Sequence, residues 1–376
     1  FKKLMEKYDW TNQDAWKKYF YSRSLTIYVA GVPHTFGFGG IHGATGTIKT
    51  NKSGKVEVVT KAIYRKGLIL HVDVGSYYPS MLIGWDLVTR AAKHPEKYKE
   101  VYDTRMALKA AGKKKEQAPY KKLLNALSGA MKDQFNPAYD PRNNNIMCIN
   151  GQLMLLDLIE KLESVPGFEL IQSNTDGLII MIPDTDEAFN MVDDICYDWE
   201  FRCSTDKCSI LLGLDQIDEI YQKDVNNYLW VEEGKLGERK GAYVKELSRI
   251  DADLPIINKA LVDYMVYKTP VEVTIHNCDE LIQFQKLVKL SDSYKWVEHN
   301  GEKFTYKCYR VFASTKQEGK IYKCGGSRGS NEKFANTPDN CFIINDDING
   351  MKCPPNLDKG WYVQLAKERL KQFGVL

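Results

Sequence analysis

The sequence predicts an α+β fold with antiparallel sheet, and three observations carry that prediction. Residues 67–74, Gly-Leu-Ile-Leu-His-Val-Asp-Val, form an apolar run that reads as a buried strand finishing at Asp73. Segments 169–182 and 227–244 each place two strand-like runs around a turn, Asn174-Thr175-Asp176-Gly177 in the first and Glu233-Gly234 in the second. Both read as hairpins. The remaining periodic stretches have helical spacing, so strands and helices fall in separate runs.

Taken in order, residues 1–66 start helical, rich in Lys and aromatic residues, and then reach Gly37-Phe38-Gly39-Gly40-Ile41-His42-Gly43. That segment lacks the spacing of a dinucleotide fingerprint and signals sharp turns or close backbone approach. After the 67–74 strand the pattern predicts helices over about 98–112 and 119–131, with Lys113-Lys114-Lys115 in a loop behind Gly112 and Pro119 in the first turn of the second helix. Asn/Pro-rich turns follow at Asn136-Pro137 and Asp140-Pro141. Leu155, Leu158, Ile159 and Leu162 keep helical spacing up to a stop at Pro166-Gly167, and Ala188, Phe189, Val192, Ile195 and Trp199 mark a further amphipathic helix. The last helix has the expected apolar face Trp361, Leu365, Leu370 and Phe373 and ends at Gly374.

At 376 residues the chain is long enough for two or three domains, and its ordinary Gly and Pro content excludes collagen-like and low-complexity classes. No apolar run reaches the roughly 18 residues of a membrane span. Nine cysteines without a C-x-x-C pair, and six scattered histidines, argue against a structural zinc site and a disulfide framework. Reduced, cytoplasmic thiols packed as small hydrophobes are the expectation. The formal charge of +3 conceals a segregation: residues 90–122 carry a net +7, residues 184–224 a net −9. The acidic stretch reads as a solvated helix face. The basic stretch puts Arg105 and Lys109 on one side of a helix, with Lys121 and Lys122 on the next, an arrangement suited to clamping a polyanion.

Asp73 ends one strand and Asp176 sits in a hairpin turn 103 residues later. Two carboxylates brought together repel unless divalent cations neutralise them, and a pair of such ions ~3.5–4 Å apart activates a hydroxyl and stabilises a leaving oxyphosphate. Taken singly, Asp73 is better read as a strand-ending polar residue and Asn174–Gly177 as an ordinary hairpin turn.

The order of the pieces adds a resemblance. Asp73-Val74-Gly75-Ser76-Tyr77-Tyr78-Pro79-Ser80 resembles motif A (D-x-x-S-L-Y-P-S) of the family B, or alpha-like, DNA polymerases. Lys121-Lys122-Leu123-Leu124-Asn125-Ala126-Leu127-Ser128-Gly129 resembles motif B, and Asn174-Thr175-Asp176-Gly177 resembles motif C. Arg105 and Lys109 match the R-x-x-x-K of the fingers helix, and Tyr228 with Lys240-Gly241 falls where the family has its K-x-Y segment and following strand. The likeness covers roughly residues 30–245, and its compact spacing with the Gly-Gly-Ile-His-Gly segment is most similar to bacteriophage members.

The resemblance implies a right-hand polymerase core: 1–89 as the N-terminal segment and first part of the palm, 90–131 as two-helix fingers, 132–245 as the rest of an antiparallel palm, and 246–376 as a thumb assigned by position. It implies DNA-directed DNA synthesis in phage replication, in the host cytoplasm, on primer-template DNA and dNTPs, with two Mg²⁺ ions (Mn²⁺ the alternative) and no membrane. Asp73, Asp176 and the Val74 carbonyl would hold the metals. Ser76, Tyr77, Arg105, Lys109 and Lys121 would hold the triphosphate, Tyr78 would exclude a 2′-hydroxyl, and Asn125 would pack beside the nascent pair. Gly129, Tyr228, Lys240 and Gly241 would contact DNA. No proofreading motif is found, so an exonuclease domain, like other replication proteins, would act from a removed part of a longer chain or in trans, in keeping with a chain that opens on Phe1. Three departures favour a rival, a catalytically weakened or silent primer-template-binding module. Asn174 replaces the first Asp of motif C, Ala126 and Ser128 replace Ser and Tyr of motif B, and Asn226-Asn227 precede Tyr228 without lysine.

Overall fold

The computed structural model describes residues 25–375 apart from 53, 55, 242, 249–251, 327, 328 and 330; the helical reading of the first 24 residues lies outside that range. The chain divides into two compact units, one holding residues up to 61 and 66–217, the other 62–65 and 218–376.

In the first unit, β1 (Leu25–Val29), β2 (Val32–Phe36), β3 (His42–Ala44) and a separate hairpin of β4 (Gly46–Thr50) and β5 (Val56–Thr60) precede the long β6 (Ile63–Val74), which starts in the second unit. Helices α1 (Tyr77–Gly84), α2 (Glu96–Ala110), α3 (Lys114–Lys132) and α4 (Pro141–Leu162) follow, then the hairpin β7 (Glu169–Asn174) and β8 (Gly177–Ile182), and α5 (Asp186–Cys203). Strand β9 (Leu212–Asp224) leads out into the second unit. The sheet order here is β1-β2-β3-β7-β8-β6-β9, with β6 and β8 antiparallel.

Side-chain alternation along β6 decides what the sheet offers. Leu68, Leu70, Val72 and Val74 join one core with Leu178, Ile180 and Ile182 of β8, Met81 and Leu82 of α1, Leu155, Leu158 and Leu162 of α4, and Val192 and Trp199 of α5. His71 and Asp73 therefore fall on the opposite face, away from these helices. Helix α4 begins at the Asp140-Pro141 pair, which the sequence reading took for a turn. Asp140 is the N-cap, accepting from the Asn143 N–H, and Pro141 takes the first helical position, where its missing N–H costs nothing. Thr185 caps α5 likewise, with Asp186 and Glu187 in its first turn.

Helices α2 and α3 pack on each other through Tyr98, Val101, Tyr102, Met106 and Leu124, with the Tyr98 hydroxyl donating to the Leu124 carbonyl. Between them Gly112 has φ +70°, and the Gly112 and Lys113 N–H groups close back on the carbonyls of Lys109 and Leu108. That Schellman closure needs only Ala111, Gly112 and Lys113. Lys114 and Lys115 are thus already helical, and Pro119 sits in the second turn of α3 rather than the first.

In the second unit, β9 pairs with β10 (Asn227–Glu232) and β10 with β11 (Lys235–Lys240). Their turn, Glu233-Gly234, has positive φ at both residues, as a two-residue hairpin of primed type requires. Helices α6 (Pro255–Tyr267) and α7 (Val271–Asn277) follow, then β12 (Lys286–Lys289), β13 (Trp296–His299), β14 (Glu302–Phe304), β15 (Cys308–Ala313), β16 (Ile321–Cys324), β17 (Glu332–Lys333), β18 (Cys341–Ile343) and α8 (Lys359–Gln372). The small sheets run β12-β15-β18 and β14-β13-β16-β17. Helix α8 buries Tyr362, Ala366 and Leu370 together with Phe373, leaving Trp361 and Leu365 half-buried. The face is turned by one residue from expectation because Tyr362 has partners in the core: its hydroxyl donates to the Phe284 carbonyl (2.8 Å) and accepts from the Ala313 N–H (3.1 Å). Among the described residues, no helix is long and apolar enough to cross a membrane.

Candidate active site

Asp73 lies on β6 directly opposite Gly177 of β8, and Asp176 is the residue before that glycine. The Val74 N–H donates to the Asp176 carbonyl at 2.7 Å, which stitches the end of β6 to the hairpin turn. The turn itself is Thr175-Asp176, with Thr175 at φ 56° and its N–H bonded to the Ile41 carbonyl at 2.8 Å. Glycines make this close approach possible. A Cβ on Gly40 would stand 2.8 Å from Thr175 Cα, and one on Gly177 would stand 3.4 Å from both Asp73 Oδ1 and His71 Nε2. The Gly-rich segment noted in the sequence is thus the backing of the hairpin tip, and Gln152 of α4 holds it by donating to the carbonyls of Gly37 and Gly39, both at 2.6 Å.

Asp73 and Asp176 line one cleft of about 440 Å³ with Val74, Ser76, Tyr77, Tyr78, Arg105, Lys109, Gln117, Lys121, Asn125, Ser128 and Thr175. Burial, and next the Asp176 charge, push the Asp73 carboxyl up to about 6; His71, Lys121 and Lys109 oppose that rise. The two carboxylates therefore stand close enough to feel each other across the cleft.

The cationic wall comes from α2 and α3. Arg105 is buried, 6% exposed, and burial lowers its pKa. It donates to the Ser76 hydroxyl, and its Nε donates to Gln117 Oε1 at 3.1 Å. No carboxylate pairs with Arg105, Lys109 or Lys121 among the described residues. Arg105, buried with neutral partners only, and Lys109 and Lys121, which act on Asp73 without forming an ion pair with it, suit an anionic ligand. Ser76 is the N-cap of α1 in left-handed geometry (φ 59°), so the free N–H groups of that helix's first turn open beside it.

The predicted residues distribute as follows. Asp73, Val74, Ser76, Tyr77, Tyr78, Arg105, Lys109, Lys121, Asn125 and Asp176 all line the cleft. Tyr77 turns its ring into the core and donates to the Gly151 carbonyl at 2.7 Å. Gly129 is exposed on α3 and does not line the cleft. Tyr228, Lys240 and Gly241 belong to the second unit, where Tyr228 and Lys240 are cross-strand partners and the Tyr228 hydroxyl donates to Glu238 at 2.8 Å. Asn174 pairs with Gly177 and His42 in the sheet and does not line the cleft.

Gln117, Ser128 and Thr175 were not foreseen as cleft residues. Gln117, Lys121, Asn125 and Ser128 share one stripe of α3 at helical spacing. That signal was hidden because placing Pro119 in the first turn put Gln117 in the loop. Among the described residues no three His, Cys, Asp or Glu side chains cluster around a common point. Side-chain ligands for a cation here would be Asp73 and Asp176, with the Val74 carbonyl beside them. This all-oxygen set suits a hard divalent ion that keeps positions open for a phosphate ligand.

No protein-family profile and no curated protein sequence matches the chain. Among solved structures it is similar to the family B DNA polymerase from the hyperthermophilic archaeon Pyrobaculum calidifontis. The TM-score is 0.50 at 14% identity, over 84% of this chain and 46% of that one. The chain thus spans less than half the length of that polymerase, and at this identity the likeness is one of fold.

Proposed function

We propose that the chain is the core of a DNA polymerase that adds deoxynucleotides to a primer 3′-hydroxyl, on primer-template DNA, with the sheet around Asp73 as palm and α2–α3 as fingers. The C-terminal residues from 246 would be the thumb, and phage replication in the host cytoplasm the setting. The observation that carries the reading is the cleft itself, where two repelling carboxylates face three cations, none of which forms an ion pair with a protein carboxylate among the described residues. The fold likeness to a family B DNA polymerase supports it.

Asp73, Asp176 and the Val74 carbonyl would hold two Mg²⁺ ions. Such ions, when bound, supply Lewis-acid activation of the attacking hydroxyl and stabilise the leaving oxyphosphate. Arg105, Lys109 and Lys121 hold the triphosphate and offset charge as it develops, and the first-turn N–H groups of α1 with Ser76 orient it. Tyr78, half-buried against the core that α1 and α4 share, offers a fixed surface beneath the sugar and excludes a 2′-hydroxyl. Asn125 borders the base.

Primer extension with dNTPs tests the reading. Asp73→Ala and Asp176→Ala are each expected to lose extension by about 10³-fold or more, the scale of removing a main electrostatic stabiliser; unchanged extension in either would overturn it. The silent-module alternative rests on Asn174, Ser128 and the lysine-poor segment before Tyr228; of these Ser128 lines the cleft and Asn174 lies off it. Asn174→Asp is accordingly expected to leave the extension rate close to that of the parent.

A further inference from the structure

Arg105 is the cation that the fold has invested in most, and its neighbours are unusual. A buried guanidinium is ordinarily matched by a carboxylate, because an unpaired buried charge is costly. Here its two side-chain partners are neutral: the Ser76 hydroxyl and Gln117 Oε1. Its Nη2 makes no hydrogen bond within the described residues. Gln117 sits four residues before Lys121 on the same helix stripe, and its backbone N–H is bonded to the Lys113 carbonyl at 3.1 Å, so the side chain springs from an ordered turn.

We propose that Gln117 is a positioning residue for nucleoside triphosphate binding, one that orients Arg105 while leaving its charge unspent. This rests on the reading that the cleft receives a nucleoside triphosphate. The choice of a neutral amide follows from electrostatics. A carboxylate at 117 would hold Arg105 equally well but would neutralise it and repel the incoming phosphates. An apolar side chain would leave the guanidinium free to rotate off the Ser76 hydroxyl and the end of α1. An amide oxygen fixes the plane of the fork through Nε while Nη1 donates to Ser76, and Nη2 with the second N–H of Nη1 stays available for phosphate oxygens. Gln117 belongs to α3 and Arg105 to α2, so the bond also ties the two helices together where both meet the cleft.

The test uses the whole chain and two readouts: calorimetric affinity for inorganic tripolyphosphate without metal, and steady-state primer extension with separate KM values for dNTP and primer-template. Gln117→Ala is expected to weaken tripolyphosphate binding roughly ten- to a hundredfold, the effect of losing one hydrogen bond to a charged group, and Gln117→Glu by a similar factor for a different reason, since it keeps that bond but neutralises Arg105 and repels the phosphates. KM for dNTP should rise by a similar factor while KM for primer-template stays at the parent value, a split that general loosening of the fold would not produce. Arg105→Ala should weaken binding too, and Gln117→Ala added to it should cost little more, since the second residue acts through the first. If Gln117→Ala binds tripolyphosphate as tightly as the parent, or tighter, while Arg105→Ala is weakened, the positioning role is wrong and the triphosphate site stands. If Arg105→Ala itself binds undiminished, the triphosphate reading of the cleft falls, and the role of Gln117 with it.

Discussion

At the scale of single residues, Asp140 shows how much one buried carboxylate organises. Only 2% exposed, it accepts from the Arg90 backbone N–H (2.9 Å), from Arg90 Nε (2.9 Å) and Nη2 (2.8 Å), and from the Asn143 N–H (3.3 Å). Burial works against the ionised form, but the Arg90 and Asn143 donors outweigh it and hold the carboxyl below its ordinary 3.8. Asp140→Ala removes the cap of α4 and the anchor of the chain before α2 and is expected to lower stability by about 2–3 kcal/mol in urea unfolding. The pH dependence follows from the sign of the shift. A carboxyl held lower in the folded state contributes stability above 3.8, and that stability is lost as pH falls through the lower folded value. Melting curves taken down through pH 4 should show this loss in the parent and a flatter profile in Asp140→Asn. Sequence reading marked the Asp140-Pro141 pair as a turn because Asp and Pro are common to turns and helix starts; only the partner Arg90, fifty residues away, separates the two.

At the scale of elements, the β7–β8 hairpin and its glycine backing position the end of the sheet that lines the cleft. The hairpin and its turn were legible from alternation and turn residues, as were the strand carrying Asp73 and the helices over α2, α4 and α5. What the Gly-rich segment does was not legible, since its partner is Thr175, more than a hundred residues on. Gly40→Ala would drive a Cβ against the Thr175 backbone and displace the tip that carries Asp176. Small displacements at a reacting centre are costly, so primer extension is expected to fall roughly 10- to 100-fold with little change in melting temperature. An unchanged rate would show that the tip tolerates the shift. The α2–α3 pair teaches the converse lesson. Its three-residue Schellman link is shorter than the lysine run suggested, and the extra turn of α3 brings Gln117 onto the stripe that faces the cleft.

For the molecule as a whole, charge is sorted by element: the net +7 of residues 90–122 falls on α2, α3 and the segment before them, and the net −9 of 184–224 falls largely on α5 and β9. A near-neutral protein can therefore bind a polyanion through one basic region. With phosphate contacts dominating, DNA binding should be steeply salt-dependent, weakening by on the order of 10- to 100-fold between 50 and 200 mM salt if about three phosphates are neutralised. Fluorescence anisotropy on a primer-template duplex measures this, and a flat salt response would argue against phosphate contacts as the basis of binding. Unit one contains every residue of the cleft, so the carboxylates, the cations and α1 are all supplied by one compact body.

The sequence by itself determined which residues could carry charge, roughly where the strand ending at Asp73, the two hairpins and the helices α2–α5 and α8 run, and in what order the motif-like pieces come, because periodicity, turn chemistry and charge are local properties of the chain. Tertiary structure alone decided that Asp73 and Asp176 share a cleft, that Asn174 stands outside it, and that a neutral amide rather than an acid holds the buried Arg105. Those facts depend on strand register and helix packing between residues far apart in sequence, and no local pattern encodes them.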